Sequence, residues 1–396
     1  MASKDNTIIL VGGGIGGLAA ALAMSQAGFN VTLLEQAPEL GEIGAGIQLG
    51  PNAFAAMDAL GCGPRARARA VYNTELLMMD ALDEYEIGRL DVGEDFRQHY
   101  GNPYAVIHRA DIHLSIYEEA QTHETINVVT DCRIVEVEIS DNGCKVKDQK
   151  GREFEGTALV GCDGSKSVVR DKLIGDPPRV SGHVVYRAVC PVDKYPDNLK
   201  WNAATLWAAP KGHIVHYPLR GGEEYNIVVT FHSRKEEEWG VKEGTREEIT
   251  SYFQGISPKP RQLIELANTW QRWSTADRDP TTKWGAGRAT LLGDAAHPPL
   301  QYMAQGACMA LEDAVVLREC MRVCDRDIEK AFRMYEGIRI PRTARVVLSA
   351  REMGRLFHAE GAERLVRNSL WKGRTQEQYR AAVDWLYGWT VDKCLD

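Results

Sequence analysis

No stretch of these 396 residues holds the roughly 18 consecutive apolar side chains that a membrane-spanning helix needs. The start, MASKDNTIIL, has no apolar core and no small-residue cleavage site, so a secretory signal is not expected. The nine cysteines (Cys62, Cys132, Cys144, Cys162, Cys190, Cys308, Cys320, Cys324 and Cys394) are odd in number and scattered. That excludes a disulfide scaffold and leads us to expect reduced thiols in a cytoplasmic protein. Cys320 and Cys324 stand at helical spacing with no second ligand pair near them, so no metal centre is expected. Basic charge is also short. The 47 Lys and Arg against 55 Asp and Glu give a net −8, which argues against a nucleic-acid-binding face. There is no internal repeat and no low-complexity linker.

What is present has the balance of a globular chain, 44% hydrophobic and 26% charged, too long for one ordinary core. TIILV reads as a buried parallel strand, GGGIGG as a turn, and LAAALAMSQAG as a helix stopped by Gly28. NVTLLEQ follows as a second strand, completing a βαβ unit. INVVT, CRIVEVEIS, ALVGC and RATLLGD read as further strands of that layer or its margin. Between about 180 and 285 the texture changes to VVYRAVCPV, ATLWAAP, HIVHYPL and YNIVVTFH, short strands split by Gly, Pro and charged turns. That is the pattern of an antiparallel sheet. We therefore expect an α/β fold in which a dinucleotide-binding Rossmann-like domain (1–72, 101–180 and 284–345) is interleaved with an antiparallel-sheet substrate domain (73–100 and 181–283). Residues 346–396 are expected to form a helical C-terminal region.

The strongest motif is Gly12-x-Gly14-x-x-Gly17, directly after a strand and opening a helix, with Ile15 and Gly16 inside it. The first glycine permits the tight turn, the second admits a pyrophosphate, and the third lets helix and strand pack closely. The helix start offers free N–H groups to the phosphates. Glu35, followed by Gln36, ends the next strand where a ribose hydroxyl is expected. An acid there disfavours a 2′-phosphate, leaving FAD or NAD. Two later segments follow strands in the same way: Asp163-Gly164, and Gly293-Asp294 with its Pro298-Pro299 turn and the helix opening at Gly306-Ala307. Each is weak alone, but the three in this order are specific.

On these motifs, with Arg109 in HRADIH, the chain resembles the single-component FAD-dependent aromatic hydroxylases, the fold family of para-hydroxybenzoate and salicylate hydroxylases. The match covers almost the whole chain and implies a glutathione-reductase-type FAD domain. GEIGAGIQLGPN, YGNPYAVIHRADIH, HIVHYPLRGGE, LLGDAAHPPLQYMAQGA and WLYGW further resemble the 3-hydroxybenzoate 6-monooxygenase group. The resemblance implies FAD contacts at Gly12, Gly14, Ile15, Gly16, Gly17, Glu35, Gln36, Arg109, Asp163, Gly164, Asp294, Pro299, Gly306 and Ala307. It implies NADH, or NADPH, as a transiently docked electron donor, since no second dinucleotide fingerprint exists. O2 and an aromatic substrate are the other partners, and a homodimer is left open.

Within HIVHYP, alternation puts His213 and Tyr217 on one sheet face and His216 on the other. Both could be ordinary strand residues. The resemblance makes them the pocket wall, with His213 near a phenol and Tyr217 holding the ring. It places Gln301 beside the flavin, aimed at the substrate hydroxyl. His297 is read as a structural part of the GDAAHP turn. Arg187 and Arg220 are candidates for an anionic substrate or the nicotinamide cofactor. The expected reaction is hydroxylation of 3-hydroxybenzoate to gentisate. The alternatives are a hydroxylase of salicylate or 6-hydroxynicotinate, with or without decarboxylation, an FAD oxidase or reductase without oxygen transfer, and a non-enzymatic NAD sensor.

Overall fold

In the computed structural model, which describes residues 6–41, 44–267 and 269–395, the β-branched run TIILV forms the strand Thr7–Val11. It lies at the centre of a five-stranded parallel sheet. The order across that sheet is Ala289–Leu291, Ala158–Gly161, Thr7–Val11, Asn30–Leu34 and Ile126–Val129. Parallel strands are covered on both faces and so read as continuous apolar runs, and Ile8, Ile9 and Leu10 are accordingly buried. The alanine-rich helix Ile15–Gln26 carries buried Leu18, Leu22 and Met24, and it packs against the helix Gly306–Val323. Three-stranded antiparallel sheets flank this layer. One is built from Ile134–Ser140, Gly143–Asp148 and Glu153–Gly156, the other from Gly46–Leu49, Ala105–His108 and Val71–Tyr72.

The second layer is an eight-stranded sheet. Its order is Gly240–Gly244, Trp270–Asp277, Arg179–Pro191, Glu224–His232, Gly212–Leu219, Ala203–Ala209, Glu75–Asp80 and Glu86–Asp91. One pairing departs from the antiparallel expectation: Ala203–Ala209 runs parallel to Glu75–Asp80. The two strands come from separate segments of the chain, so no hairpin constrains their direction. One face of this sheet packs on helices Arg246–Tyr252 and Pro258–Leu266 through Trp207, Ile227, Phe231 and Trp270. The other face turns toward the flavin-type layer. The boundary expected at 345/346 falls inside one continuous helix, Ile328–Phe357, which carries Pro341 without interruption. Helices Gly361–Trp371 and Gln376–Tyr387 follow. Residues 42 and 43 of the GEIGAGIQLGPN segment and the polar start 1–5 lie outside the described residues.

Among the described residues no helix is long and apolar enough to cross a membrane. All nine cysteines are unpaired thiols.

Candidate active site

Three adjacent strands of the parallel sheet end on the same edge, and each ends in one of the three motifs. Thr7–Val11 runs into the glycine fingerprint, Ala158–Gly161 into Cys162-Asp163-Gly164, and Ala289–Leu291 into Gly293-Asp294. That edge is where parallel α/β sheets bind ligands. The glycines are required by contact. Gly12 has φ +103°, and a Cβ there would strike the Cys162 carbonyl; a Cβ on Gly17 would strike the Gly12 carbonyl. Gly16 sits against Leu292 and Ala310, where an added Cβ would stand 3.1 and 3.3 Å away. Ile15 is buried, and Gly14 caps the helix with no side-chain bond of its own. Gly17→Ala is therefore expected to push the helix off the strand and yield protein that purifies without visible flavin absorbance. A yellow Gly17→Ala protein with full flavin content would overturn the assignment of this turn.

The acids behave differently from one another. Glu35 accepts from Gly13 N at 2.6 Å and Ala37 N at 2.7 Å, so it shapes the fingerprint turn as well as facing it. Gln36 beside it is exposed. Asp163 spends its oxygens locally, on Ser167 Oγ at 2.5 Å and on the Val168 and Val169 amides, while Gly164 turns the chain with φ +75°. Asp163 thus organises its own loop. Asp294 has no such partners among the described residues. Its side chain is accessible, yet surrounding protein desolvates the carboxyl and raises its pKa against the pull of His297 and Arg109. Accessibility and desolvation together describe a group on the wall of a deep cleft. Gly306 stands beside it, with Asp294 Oδ1 3.6 Å and Pro299 3.7 Å from where a Cβ would be. Gly306 and Ala307 begin an 18-residue helix whose first amides face this place. Arg109 opens the helix Arg109–Ala120 and lies where a Gly44 side chain would stand. Two helix starts, the glycine cradle and Asp294 match a flavin dinucleotide: amides for its phosphates and a carboxylate for a ribose.

The substrate-side wall is the inner face of the eight-stranded sheet. Register aligns Leu206, Val215 and Val228 across three strands, and Leu206 and Val215 are partly accessible. These form an apolar floor. His213 and Tyr217 flank Val215 on the same strand and face, roughly 13 Å apart along it. His216 points the other way and bonds to Tyr195 Oη at 2.6 Å. At one end of the floor, His213 pairs with Thr230, and the Gln301 amide donates to Thr230 Oγ1 at 3.5 Å. At the other end, Tyr217 pairs with Asn226 and packs on Gly46. Arg187 lies on this face as well. Burial lowers its pKa against the pull of Tyr217, Trp273 lies 5.6 Å from its guanidinium, and it has no ion pair among the described residues. Arg220 is instead held by Asp111 and Glu224.

His213 is a buried ring whose Nδ1 bonds to His358 Nε2 at 2.7 Å, which leaves Nε2 for the cleft. Burial, with His183 nearby, pushes its pKa down to about 3, so the ring is neutral near pH 7. No spacing or motif marks His358, which arrives from the end of a helix 145 residues away. His297 is structural: its Nε2 meets Asp313 Oδ2 at 2.6 Å. Burial raises the Asp313 carboxyl, but His297 and Arg339 outweigh it and hold the pKa down to about 2. Arg339 also bonds Glu312 at 2.7 Å, and Arg342 grips the same Glu312 at 2.6 and 2.8 Å. Arg170 donates to the Ala295 and Ala296 carbonyls, tying the Asp163 loop to the Asp294 turn.

The sequence profile of the FAD binding domain family matches residues 5–347. The chain is 60% identical to a 3-hydroxybenzoate 6-hydroxylase of Polaromonas naphthalenivorans, over 99% of this chain and 98% of that one. It is 57% identical to a 3-hydroxybenzoate 6-hydroxylase of Klebsiella oxytoca, over 100% and 99%. Its fold matches a salicylate hydroxylase substrate complex with a TM-score of 0.83 at 23% identity, over 99% of this chain and 97% of that one. Placed beside the glycine cradle, the Asp294 cleft and the sheet wall opposite, these matches show that the chain belongs to the FAD binding domain family, among its flavin-dependent aromatic monooxygenases.

Proposed function

We propose that this protein hydroxylates 3-hydroxybenzoate para to its hydroxyl, giving gentisate, with NADH (or NADPH) and O2 as co-substrates. The observation that carries the reading is the chemical asymmetry of the cleft wall. An apolar floor separates His213, Thr230 and Gln301 from Tyr217, with Arg187 on the same face in register with Val228. A hydroxybenzoate has the same asymmetry: a phenol, a flat apolar ring and a carboxylate. The similarity to 3-hydroxybenzoate 6-hydroxylases agrees with it.

Gly12, Gly14, Gly17, Arg109, Asp294 and the Gly306-Ala307 helix start would hold FAD, which would supply hydride acceptance from the nicotinamide and delivery of one oxygen atom from O2. The chain's own residues do the rest. Arg187, desolvated and without an acidic partner, receives the carboxylate, and Tyr217 holds the ring against the floor. His213 Nε2 accepts the hydrogen bond of the phenol. Because the ring is neutral, its lone pair is available. Proton transfer to it makes an imidazolium paired with the phenolate, which offsets the burial that otherwise disfavours charge. A phenolate enriches the carbons ortho and para to it. Gln301 fixes the phenol oxygen so that the para carbon, next to the ring carbon bearing the carboxylate, is held toward the flavin side of the cleft. The apolar floor keeps water from the reacting atoms.

The test is product chromatography with peroxide assay. Wild type is expected to give gentisate from 3-hydroxybenzoate with little hydrogen peroxide. Gln301→Leu keeps the bulk and deletes the hydrogen bond, and it should lower hydroxylation and raise peroxide. Catechol from salicylate, with 3-hydroxybenzoate ignored, would overturn the reading in favour of a decarboxylating hydroxylase.

A further inference from the structure

Behind His213 lies a histidine cluster that the reaction itself does not need. His183 and His232 are directly paired across neighbouring strands, and their rings stack at 4.1 Å. His358 caps the C-terminal end of the helix Ile328–Phe357 above them. One ring nitrogen from each of the three lies within 4.8 Å of the others. His232 Nε2 and His358 Nδ1 are buried without a hydrogen-bond partner. His183 Nδ1 is taken by Tyr302 Oη at 2.5 Å, so Nε2 is what that ring has left. Orphaned buried nitrogens are costly, and two of them beside a third imidazole are not explained by packing. Burial lowers the pKa of all three, to about 4 for His183, so they are neutral ligands at pH 7. Two of them already carry the outer partner that metal-bound imidazoles use: Tyr302 on His183, and His213 on His358.

We propose that His183, His232 and His358 bind one divalent ion of the zinc class, and that this ion, acting through His358, switches off His213. Tetrahedral zinc with nitrogen ligands sets N···N separations of about 3.3 Å, so the rings need close only modestly. The switch follows from tautomers. Without the ion, His213 Nδ1–H donates to His358 Nε2, and the lone pair on His213 Nε2 faces the phenol. An ion on His358 Nδ1 forces the remaining proton onto His358 Nε2, which then donates to His213 Nδ1. Neutral His213 must now carry its proton on Nε2, where it can donate to the phenol oxygen but cannot accept from it. Two N–H bonds break and two form, at Nδ1 and Nε2 of His358 and of His213, by exchange with water, and the number of protons on the pair is unchanged.

The binding claim stands apart from the proposed reaction, while the switch rests on His213 being the base. Flavin-loaded enzyme, freed of metals by a chelator, is titrated with zinc chloride by calorimetry, and with cobalt(II) by its visible bands. Wild type is expected to bind one ion per chain with a tetrahedral cobalt spectrum. His232→Ala and His183→Asn, both half-buried positions, should keep their FAD and lose at least tenfold in affinity. Zinc should inhibit wild-type hydroxylation reversibly, and His232→Ala should keep wild-type turnover and be insensitive. No binding in wild type, or equal binding in both variants, overturns the site. Stoichiometric binding lost in the variants but without inhibition overturns the switch, and with it the base role of His213, while leaving the site.

Discussion

His213→Ala is expected to slow hydroxylation of 3-hydroxybenzoate by about 10²–10⁴-fold, the usual worth of a positioned general base, while the protein stays yellow. His213 reaches the cleft from the strand Gly212–Leu219, on the wall opposite the glycine cradle, so its loss should not touch flavin retention. It is the histidine on the apolar-floor face of that strand; His216 is turned away and occupied by Tyr195. NADH oxidation should persist in the variant, with reducing equivalents leaving as hydrogen peroxide. Single-turnover product formation, measured beside peroxide yield, separates this from a folding defect. A His213→Ala enzyme that hydroxylates at the wild-type rate and coupling would remove the ring from the reaction.

Arg339→Met should cost about 3–5 kcal/mol of stability, the range for severing a buried ion pair by deleting one partner. Arg339, Glu312 and Asp313 are fully buried, and Arg339 bonds both acids, at 2.6 and 2.7 Å. Methionine fills much of the volume but leaves Asp313 with only His297 and the Gly293 amide. The same Gly293 amide opens the turn that presents Asp294. The variant should therefore lose flavin affinity along with stability. Denaturant midpoints of the flavin-loaded forms, read with flavin fluorescence, check both effects. An unchanged midpoint would mean that Arg342 alone neutralises Glu312 and that the buried pair is dispensable.

The nucleotide half of the fold was legible because its signals are local. A β-branched run, a glycine turn at fixed spacing and an alanine-rich helix fit within the first 28 residues. Alternation also put His213 and Tyr217 on one face correctly, since strand geometry fixes it. What the sequence could not show comes from contacts across long separations. His358 meets His213 across 145 residues and Asn52 meets Glu312 across 260, with no spacing pattern to mark either. The parallel pairing of Ala203–Ala209 with Glu75–Asp80 escaped for the same reason. Asp163 belongs to the second motif, and its oxygens also bond Ser167 and two amides, a use that only the loop's three-dimensional path reveals.

The strand order of the parallel sheet also dictates how this protein must be made. Thr7–Val11 pairs on one edge with Asn30–Leu34, which follows it closely in the chain. The other edge waits for Ala158–Gly161, which in turn waits for Ala289–Leu291. Throughout that interval the nascent chain carries an open apolar strand edge, the kind of surface that recruits wrong partners. The helix starting at Gly306, which stands beside Asp294, emerges later still. Closure of that sheet edge and completion of the cleft beside Asp294 therefore depend on segments that lie far apart in the chain.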